Sequence, residues 1–415
     1  MKIYMGIDWD SNHLNIYYQK NKSKPQKMII KKPAIDEVSK AIQQIKTAQK
    51  DDVEIHALIE DGAKQWVRLL HFAGVIVYVV NPRKAKRFKE SVFSSMAKDD
   101  CRDAYALMVM IQAGVMKQKP WKPDSKIQQK IDVLANIHHK QTKEQTRIKQ
   151  KVRSYLQTKL PLIKSSIRCV DAKWVIGFFE KVPSIWDICH LTKRKFNRIL
   201  SNTRISKQQK QGLWTAIQHS DVNGLSKEVC RIEGLQVQVW MKQLGLYRES
   251  LKQLNDEITK TLDCVSLGKR VKAIGGMGDV TTLLLLHCVG VESPTHRDDY
   301  SIMVGSSPVF IGSGTTRKGT PKGYVRMRKT VSSLAKGFTY MLGLLLMKHS
   351  RWARAMYVDG SSRGQSAGTI TRRISRCFLR IVSSMHRYGS CYDEDRYIRS
   401  LLKNGVGWAK SLKVA

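Results

Sequence analysis

The run Tyr4-Met5-Gly6-Ile7-Asp8, apolar until its last residue, decides the fold of the first hundred residues. A second run, Ile55-His56-Ala57-Leu58-Ile59-Glu60, has the same form. Each reads as a strand that closes on a carboxylate. Outward from these two, residues 2–8 and 13–19 are strands around a short polar turn, and 27–31 is a third. Ile35, Val38, Ile42 and Ile45 recur at helical spacing. A helix over 62–73 and a short strand over 75–80 follow, and Asn81-Pro82 then breaks the chain. The order βββαβαβα predicts a sheet of three meandering strands with later crossovers.

Composition narrows the function classes. The chain has 415 residues, so two or three domains are expected. At 42% hydrophobic it can bury real cores and is not a disordered chain. It carries 73 Lys+Arg against 34 Asp+Glu, a formal charge of +39. Such an excess implies a polyanionic partner, and nucleic acid is the usual one; a ribosomal or membrane-surface protein shares the same charge. No apolar run reaches about 18 residues, so no membrane partner is expected. Residues 1–3 lead straight into a strand pattern with no secretory signal. The eight cysteines are scattered, with no CxxC pair, which points to a reducing compartment rather than to zinc.

Against that charge, four acids stand out. Asp8 and Glu60 end strands that are candidate neighbours in one sheet. Asp100 and Asp103 are three apart at the head of a helical stretch and share a face. Clustered carboxylates repel unless a cation intervenes. Hard divalent ions prefer such oxygen ligands and support phosphodiester chemistry. Taken singly, an Asp at a strand end is more often a turn residue, and Asp100 also suits a helix cap. Spacing does not exclude the adjacent Asp61 and Asp99.

The segments Gly6-Ile7-Asp8, Ile59-Glu60-Asp61-Gly62, Val79-Val80-Asn81-Pro82-Arg83-Lys84 and Ala97-Lys98-Asp99-Asp100-Cys101-Arg102-Asp103-Ala104 together resemble one family. It is the insertion-sequence "one-ten" transposases, with the related Piv invertases. The resemblance implies an N-terminal α/β domain of RuvC-like, RNase H type. Its D-E-D-D tetrad falls on Asp8, Glu60, Asp100 and Asp103, which would be catalytic and hold Mg2+ (or Mn2+).

Toward the C-terminus, Gly305-Ser306-Ser307-Pro308-Val309-Phe310-Ile311-Gly312-Ser313-Gly314 resembles the family's serine block, which maps the nucleophile to Ser313. Ser306 and Ser307 are nearby hydroxyl competitors. Arg317 and Lys318 follow, suited to offset charge on phosphorus or to hold the DNA backbone. Residues 271–280 resemble a helix-hairpin-helix turn, whose Gly276 and Gly278 would let amides approach a phosphate. From 315 to 415 there are 21 Lys and Arg against four acids. Arg372, Arg373, Arg376 and Arg380 fall on a basic amphipathic helix over 371–386 and suit a phosphate-facing stripe, although a solvated charged face has the same pattern.

In the middle, helical stretches over 124–159 and 225–262 have apolar residues at three and four, and suit an antiparallel coiled-coil arm or helices within one globule. Between them, aromatics among basic residues form either a small core or a stacking surface for bases. The expected domains are a RuvC-like catalytic domain over 1–118, a helical coiled-coil region over 119–265, and a mainly α domain over 266–415.

The expected function is site-specific DNA recombination through a 5′-phosphoserine link. The alternatives are a Piv-type invertase and a RuvC-like nuclease without serine chemistry. The resemblance further implies double-stranded DNA as substrate, an element-encoded bridge RNA as guide, a dimer that assembles to a tetramer, and residence in the bacterial cytoplasm at the nucleoid.

Overall fold

The computed structural model describes the chain apart from residues 11, 21–22, 48–52, 94–99, 115–118, 223, 316–320, 327, 329–330 and 413–415. It divides into two compact units, Met1–Ser125 and Lys126–Ala415.

The first unit holds a five-stranded sheet. Its strands are β1 (Lys2–Trp9), β2 (His13–Lys20), β3 (Gln26–Lys31), β4 (Glu54–Glu60) and β5 (Ile76–Val80). They lie in the order β3-β2-β1-β4-β5. The first three pair antiparallel, and β4 and β5 add in parallel to β1. Asp10 shapes the first turn by accepting the amides of Asn12 and His13 at 2.5 and 2.6 Å. Four helices flank the sheet: α1 (Ile35–Thr47), α2 (Lys64–Phe72), α3 (Pro82–Val92) and α4 (Asp100–Gln112). Asn81 caps α3, its side chain accepting the Arg83 amide at 3.0 Å, and Pro82 presets the first turn. The expected element order is therefore found. A mixed sheet with helices on both faces fits an RNase H-like α/β domain.

Two cores divide the unit. Ile3, Met5, Ile7, Leu14 and Ile16 join Val38, Ile42, Trp66 and Leu70 of α1 and α2 on one face. Leu58 and Val80 meet Ala85, Leu107 and Met110 of α3 and α4 on the other. Each fully buried aliphatic contributes about 1.5–3 kcal/mol, so the sheet is held from both sides.

The second unit is mostly helical. α5 (Lys126–Lys159) and α11 (Lys227–Asp263) run antiparallel. Ile131 and Leu134 share a core with Ile258 and Leu262, while Val152 and Leu156 share another with Cys230, Val237 and Met241. Ion pairs join Lys130 to Glu257 at 2.5 Å and Lys159 to Glu233 at 2.8 Å. Ile137, three residues beyond Leu134 on the same helix, is 39% exposed.

Between these two helices lie α6 (Pro161–Ser166), α7 (Lys173–Lys181), α8 (Ile185–Cys189), α9 (Lys193–Ile199) and α10 (Lys207–Gln218). Trp174, Phe178, Phe179, Phe196 and Trp214 are buried there, so these aromatics form a core and not a base-stacking surface. Beyond α11 come α12 (Ser266–Lys272), α13 (Asp279–Val289), α14 (Asp299–Met303), the antiparallel hairpin β6 (Val309–Thr315) and β7 (Pro321–Arg326), then α15 (Ser333–His349), α16 (Arg351–Ser362), α17 (Ala367–Tyr388) and α18 (Glu394–Lys403). A 3-10 turn over Gly407–Ser411 closes the described chain. The hairpin is absent from the sequence reading. Among the described residues no helix is long and apolar enough to cross a membrane, and the eight cysteines are unpaired.

Candidate active site

Strand parity places two of the acids. Ile3, Met5 and Ile7 point into the core beneath α1 and α2, as do Ile55, Ala57 and Ile59. Side chains alternate along a strand, so Gly6, Asp8, Leu58 and Glu60 face the other way, toward α3 and α4. Ile7 pairs with Ile59 across parallel β1 and β4. Asp8 and Glu60 are the next residues on those two neighbouring strands, at their C-terminal ends. That end of an open α/β sheet is where ligands usually bind.

Helix α4 brings the third acid, and Gly6 lets it come close. A Cβ at position 6 would collide with the Ala104 carbonyl oxygen and the Met108 amide nitrogen, and would stand 3.0 Å from the Leu107 carbonyl carbon. The helix backbone thus rests directly on β1. Asp103, just before Ala104, lies at the head of this contact and is half-buried. Asp100 begins the same helix. Its side chain lies outside the described residues, as does the competitor Asp99.

Two further side chains belong to this face, and sequence reasoning missed both. Asn15 sits opposite Asp8 in the β1–β2 register and is only 5% exposed. The Cys101 thiol of α4 lies 3.9 Å from its Oδ1. A polar residue between buried Leu14 and Ile16 was the available signal. Lys89 of α3 ion-pairs with Asp103. Nothing distinguishes it in sequence from its lysine neighbours. Burial lifts the Glu60 carboxyl above the ordinary glutamate range, against the pull of the Lys89 ammonium. Lys89 therefore acts on two of the acids, supplying the positive charge that a carboxylate group in one place requires.

The donors Asp8, Glu60 and Asp103 are all oxygen, the chemistry that Mg2+ or Mn2+ prefers. The half-buried Glu60 and the lysine already drawn to Asp103 show a face that attracts cations. In donor type and charge the residues fit a divalent ion. Among the described residues, however, no three His, Cys, Asp or Glu stand close enough together to hold one. A cleft of about 910 Å³ between α1 and α2 lies under the opposite face of the sheet. It contains none of these acids.

In the second unit Ser313 lies on β6, where the pairing with β7 shifts register between Gly312 and Thr315. Such irregularities re-aim side chains and recur beside active sites. The Ser313 side chain lies outside the described residues, and so do Arg317 and Lys318 entirely. Its two neighbours are accounted for. Ser307 is 6% exposed with its hydroxyl 2.7 Å from that of Ser301, and Ser306 is 5% exposed and donates to the Ser301 carbonyl at 3.2 Å. Neither hydroxyl is open to a polymer substrate.

The glycine turn joins α12 to α13. Gly276 has φ +85° and packs against the His349 ring, where a Cβ would stand 2.5 Å from Cδ2. Gly278 is the N-cap of α13. Asp279 follows it and takes Lys272 at 2.9 Å as well as the Thr259 hydroxyl. On α17, Arg372, Arg373, Arg376 and Arg380 all lie off the buried face. Arg380 donates through Nε and Nη2 to the Asp298 carboxylate at 2.5 and 3.0 Å, and Arg376 approaches the same group at 3.9 Å. Arg373 is exposed and Arg372 half-buried.

Residues 5–161 match the family model DEDD_Tnp_IS110, described as a transposase. The matched stretch contains all four acids and extends through α5. No curated protein matches the chain. A basic chain whose first sheet offers acids at adjacent strand ends is thus similar, over residues 5–161, to the IS110 transposases.

Proposed function

We propose that the chain is a site-specific recombinase that holds a DNA strand on Ser313 through a 5′-phosphoserine ester. In this reading Asp8, Glu60, Asp100 and Asp103 are the catalytic tetrad and would hold Mg2+ (or Mn2+). The observation that carries it is strand parity: Asp8 and Glu60 end adjacent parallel strands on the face over which Asp103 is held. A bound divalent ion supplies Lewis-acid polarisation of the scissile phosphate. The Ser313 Oγ–P bond forms as the P–O3′ bond breaks, and the strand leaves as a 3′-hydroxyl bearing the proton that Oγ loses. The ester conserves the bond energy, so the reverse attack by a 3′-hydroxyl reseals DNA without ATP. Hydrolysis by the tetrad alone would cut and not reseal. Burial of Ser306 and Ser307 favours Ser313 among the three hydroxyls.

The finer assignments belong to the same reading. Residues 1–118 form the RuvC-like catalytic domain, 119–265 the helical arm and its insertion, and 266–415 the domain of the nucleophile. Arg317, Lys318, Arg372, Arg373, Arg376 and Arg380 contact nucleic acid with the amides at Gly276 and Gly278, the partners being double-stranded DNA and an element-encoded bridge RNA. The assembly is a homodimer that pairs to a tetramer, acting at the bacterial nucleoid. Support for self-association comes from α11, where Ile232, Leu235, Val239 and Leu246 are each about half exposed or more and spaced by three, four and seven.

Separate Asp8→Ala and Ser313→Ala chains test the chemistry in a circle-formation assay. Both are expected to lose recombination. Recombination retained by Ser313→Ala removes the serine mechanism, and retention by Asp8→Ala removes the metal site. Guidance is tested by sequencing the RNA that copurifies from the host. A single species encoded beside the gene supports it, and bulk cellular RNA opposes it.

A further inference from the structure

A cleft of about 530 Å³ is lined by α17, α18 and the chain between them, and of the residues assigned above only Arg380 lines it. Its walls include Arg297, Arg380, Tyr388, Tyr392, Arg396 and Tyr397. Its volume suits a ligand the size of one nucleotide.

The charge inside is positive and largely fixed. Asp298 is consumed by Arg380, and its carboxyl is held well below the usual aspartate range by that hydrogen bond first and by the charges of Arg376 and Arg297 besides. Asp393 is occupied in capping α18, accepting the Arg396 amide at 2.9 Å. Asp393, the acid that lines the cleft, is thus engaged, as is Asp298 behind Arg380, while the Arg297 and Arg396 side chains stand exposed. The floor is rigid: the Tyr392 hydroxyl accepts the Trp352 indole N–H at 2.9 Å.

The rim carries an open aromatic ring. Tyr388 is the last residue of α17 and is 71% exposed. The Arg387 guanidinium lies over its ring, 5.4 Å from the centroid. Gly389 then turns the chain with φ +67°, and the exposed Tyr388 ring lines the cleft. A tyrosine in the open beside three guanidinium groups matches a ligand with a π-face and a phosphate. A duplex hides its base faces, whereas an unpaired nucleotide presents them.

We propose that this cleft binds one unpaired nucleotide of a single strand, with its base stacked on Tyr388 and its phosphate between Arg297 and Arg396. The proposal rests on the reading that nucleic acid is the partner, and adds where an unpaired base is held. DNA and RNA share this chemistry, so both are tested.

The experiment measures fluorescence anisotropy of the full chain with labelled strands of about 12 nucleotides, in oligo(dT), oligo(U) and abasic forms, and with a hairpin duplex. Strands are compared at about 0.3 M salt, which suppresses charge-only binding, and the salt slope is read from a titration between about 0.1 and 0.5 M. Tyr388→Ala is expected to weaken binding of the better of oligo(dT) and oligo(U) by about fivefold or more, the loss of one stacked base. Abasic strand and duplex are expected to bind as before, and Tyr388→Trp to restore the tighter binding. Arg396→Ala is expected to weaken abasic and base-bearing strands alike and to flatten the salt dependence by about one phosphate. The strand that loses more with Tyr388→Ala identifies DNA or RNA as the source. Equal losses on the abasic strand, or no loss on either base-bearing strand, overturn the proposal. Tyr388 is exposed, so its loss does not threaten the core. Failure of the cleavage reading shows in recombination by Asp8→Ala and leaves this binding result intact.

Discussion

Replacing Gly6 by alanine tests whether α4 is held by direct contact with β1. The added methyl meets backbone of α4, the Ala104 carbonyl and the Met108 amide, and no flexible side-chain end. A backbone segment cannot swing aside, so the helix has to retreat by about 1 Å, and Asp103 travels with it. Overpacking of this kind costs about 1–3 kcal/mol. A helix backed by the Leu107 and Met110 core resists repacking, which places the expected cost in the upper half of that range. The corresponding fall in the melting midpoint of the N-terminal unit is about 5–10 °C. Displacement of a catalytic group by about 1 Å costs roughly a hundredfold in rate. Calorimetry of the full chain reads the first quantity, and junction formation from a supercoiled donor reads the second. Gly177→Ala in α7 is the control: no atom lies within 4 Å of its added Cβ, and alanine favours a helix by up to about 1 kcal/mol. A Gly6→Ala chain with wild-type midpoint and wild-type rate would refute the placement of Asp103 over the strand ends.

Lys89→Met removes the ammonium beside Asp103 and Glu60. Manganese binding followed by electron paramagnetic resonance is expected to tighten by about fivefold or more, since relief of roughly 1 kcal/mol of like-charge repulsion suffices; unchanged or weaker binding would show that Lys89 does not compete with the ion. Ser307→Ala breaks the buried hydroxyl pair with Ser301 and is expected to cost about 1 kcal/mol in urea denaturation while leaving circle formation intact, in contrast to Ser313→Ala. The Asp298 carboxyl is depressed chiefly by its hydrogen bond to Arg380. Its contribution is full above the unfolded aspartate value and is lost as pH falls through the lower folded value. Thermal melts between about pH 5 and 2 should therefore fall less steeply for Asp298→Asn than for the parent chain, and parallel curves would count against the pair.

What the sequence disclosed follows from the physics of buried strands. β1 and β4 are packed on both faces, so they appear as unbroken apolar runs, and a carboxylate at the end of such a run is conspicuous. Asp8 and Glu60 were legible for that reason, and parity then follows from counting. The contribution of Lys89 was not legible, because one lysine among Arg83, Lys84, Lys86, Arg87 and Lys89 gains meaning only from the helix that places it. The hairpin was hidden in a stretch of Gly, Ser and Thr with no alternation of polar and apolar residues. The partner of Arg380 stands 82 residues away, a separation that no local pattern reports. The aromatics of 174–214 fit either a core or a base-stacking surface on sequence alone, and burial decides for the core.

The antiparallel pair α5 and α11 has a further consequence. At 34 and 37 residues, the two form a strut of about 50 Å with a separate body clamped at either tip. Each residue on a helix advances the azimuth by about 100°. One inserted residue would therefore twist everything beyond it and turn packed side chains outward. Lengthening by about seven residues, close to two whole turns, in both rods at once keeps the packed faces together. The span of this strut and the mutual orientation of its ends are thus coupled, since each added residue changes both.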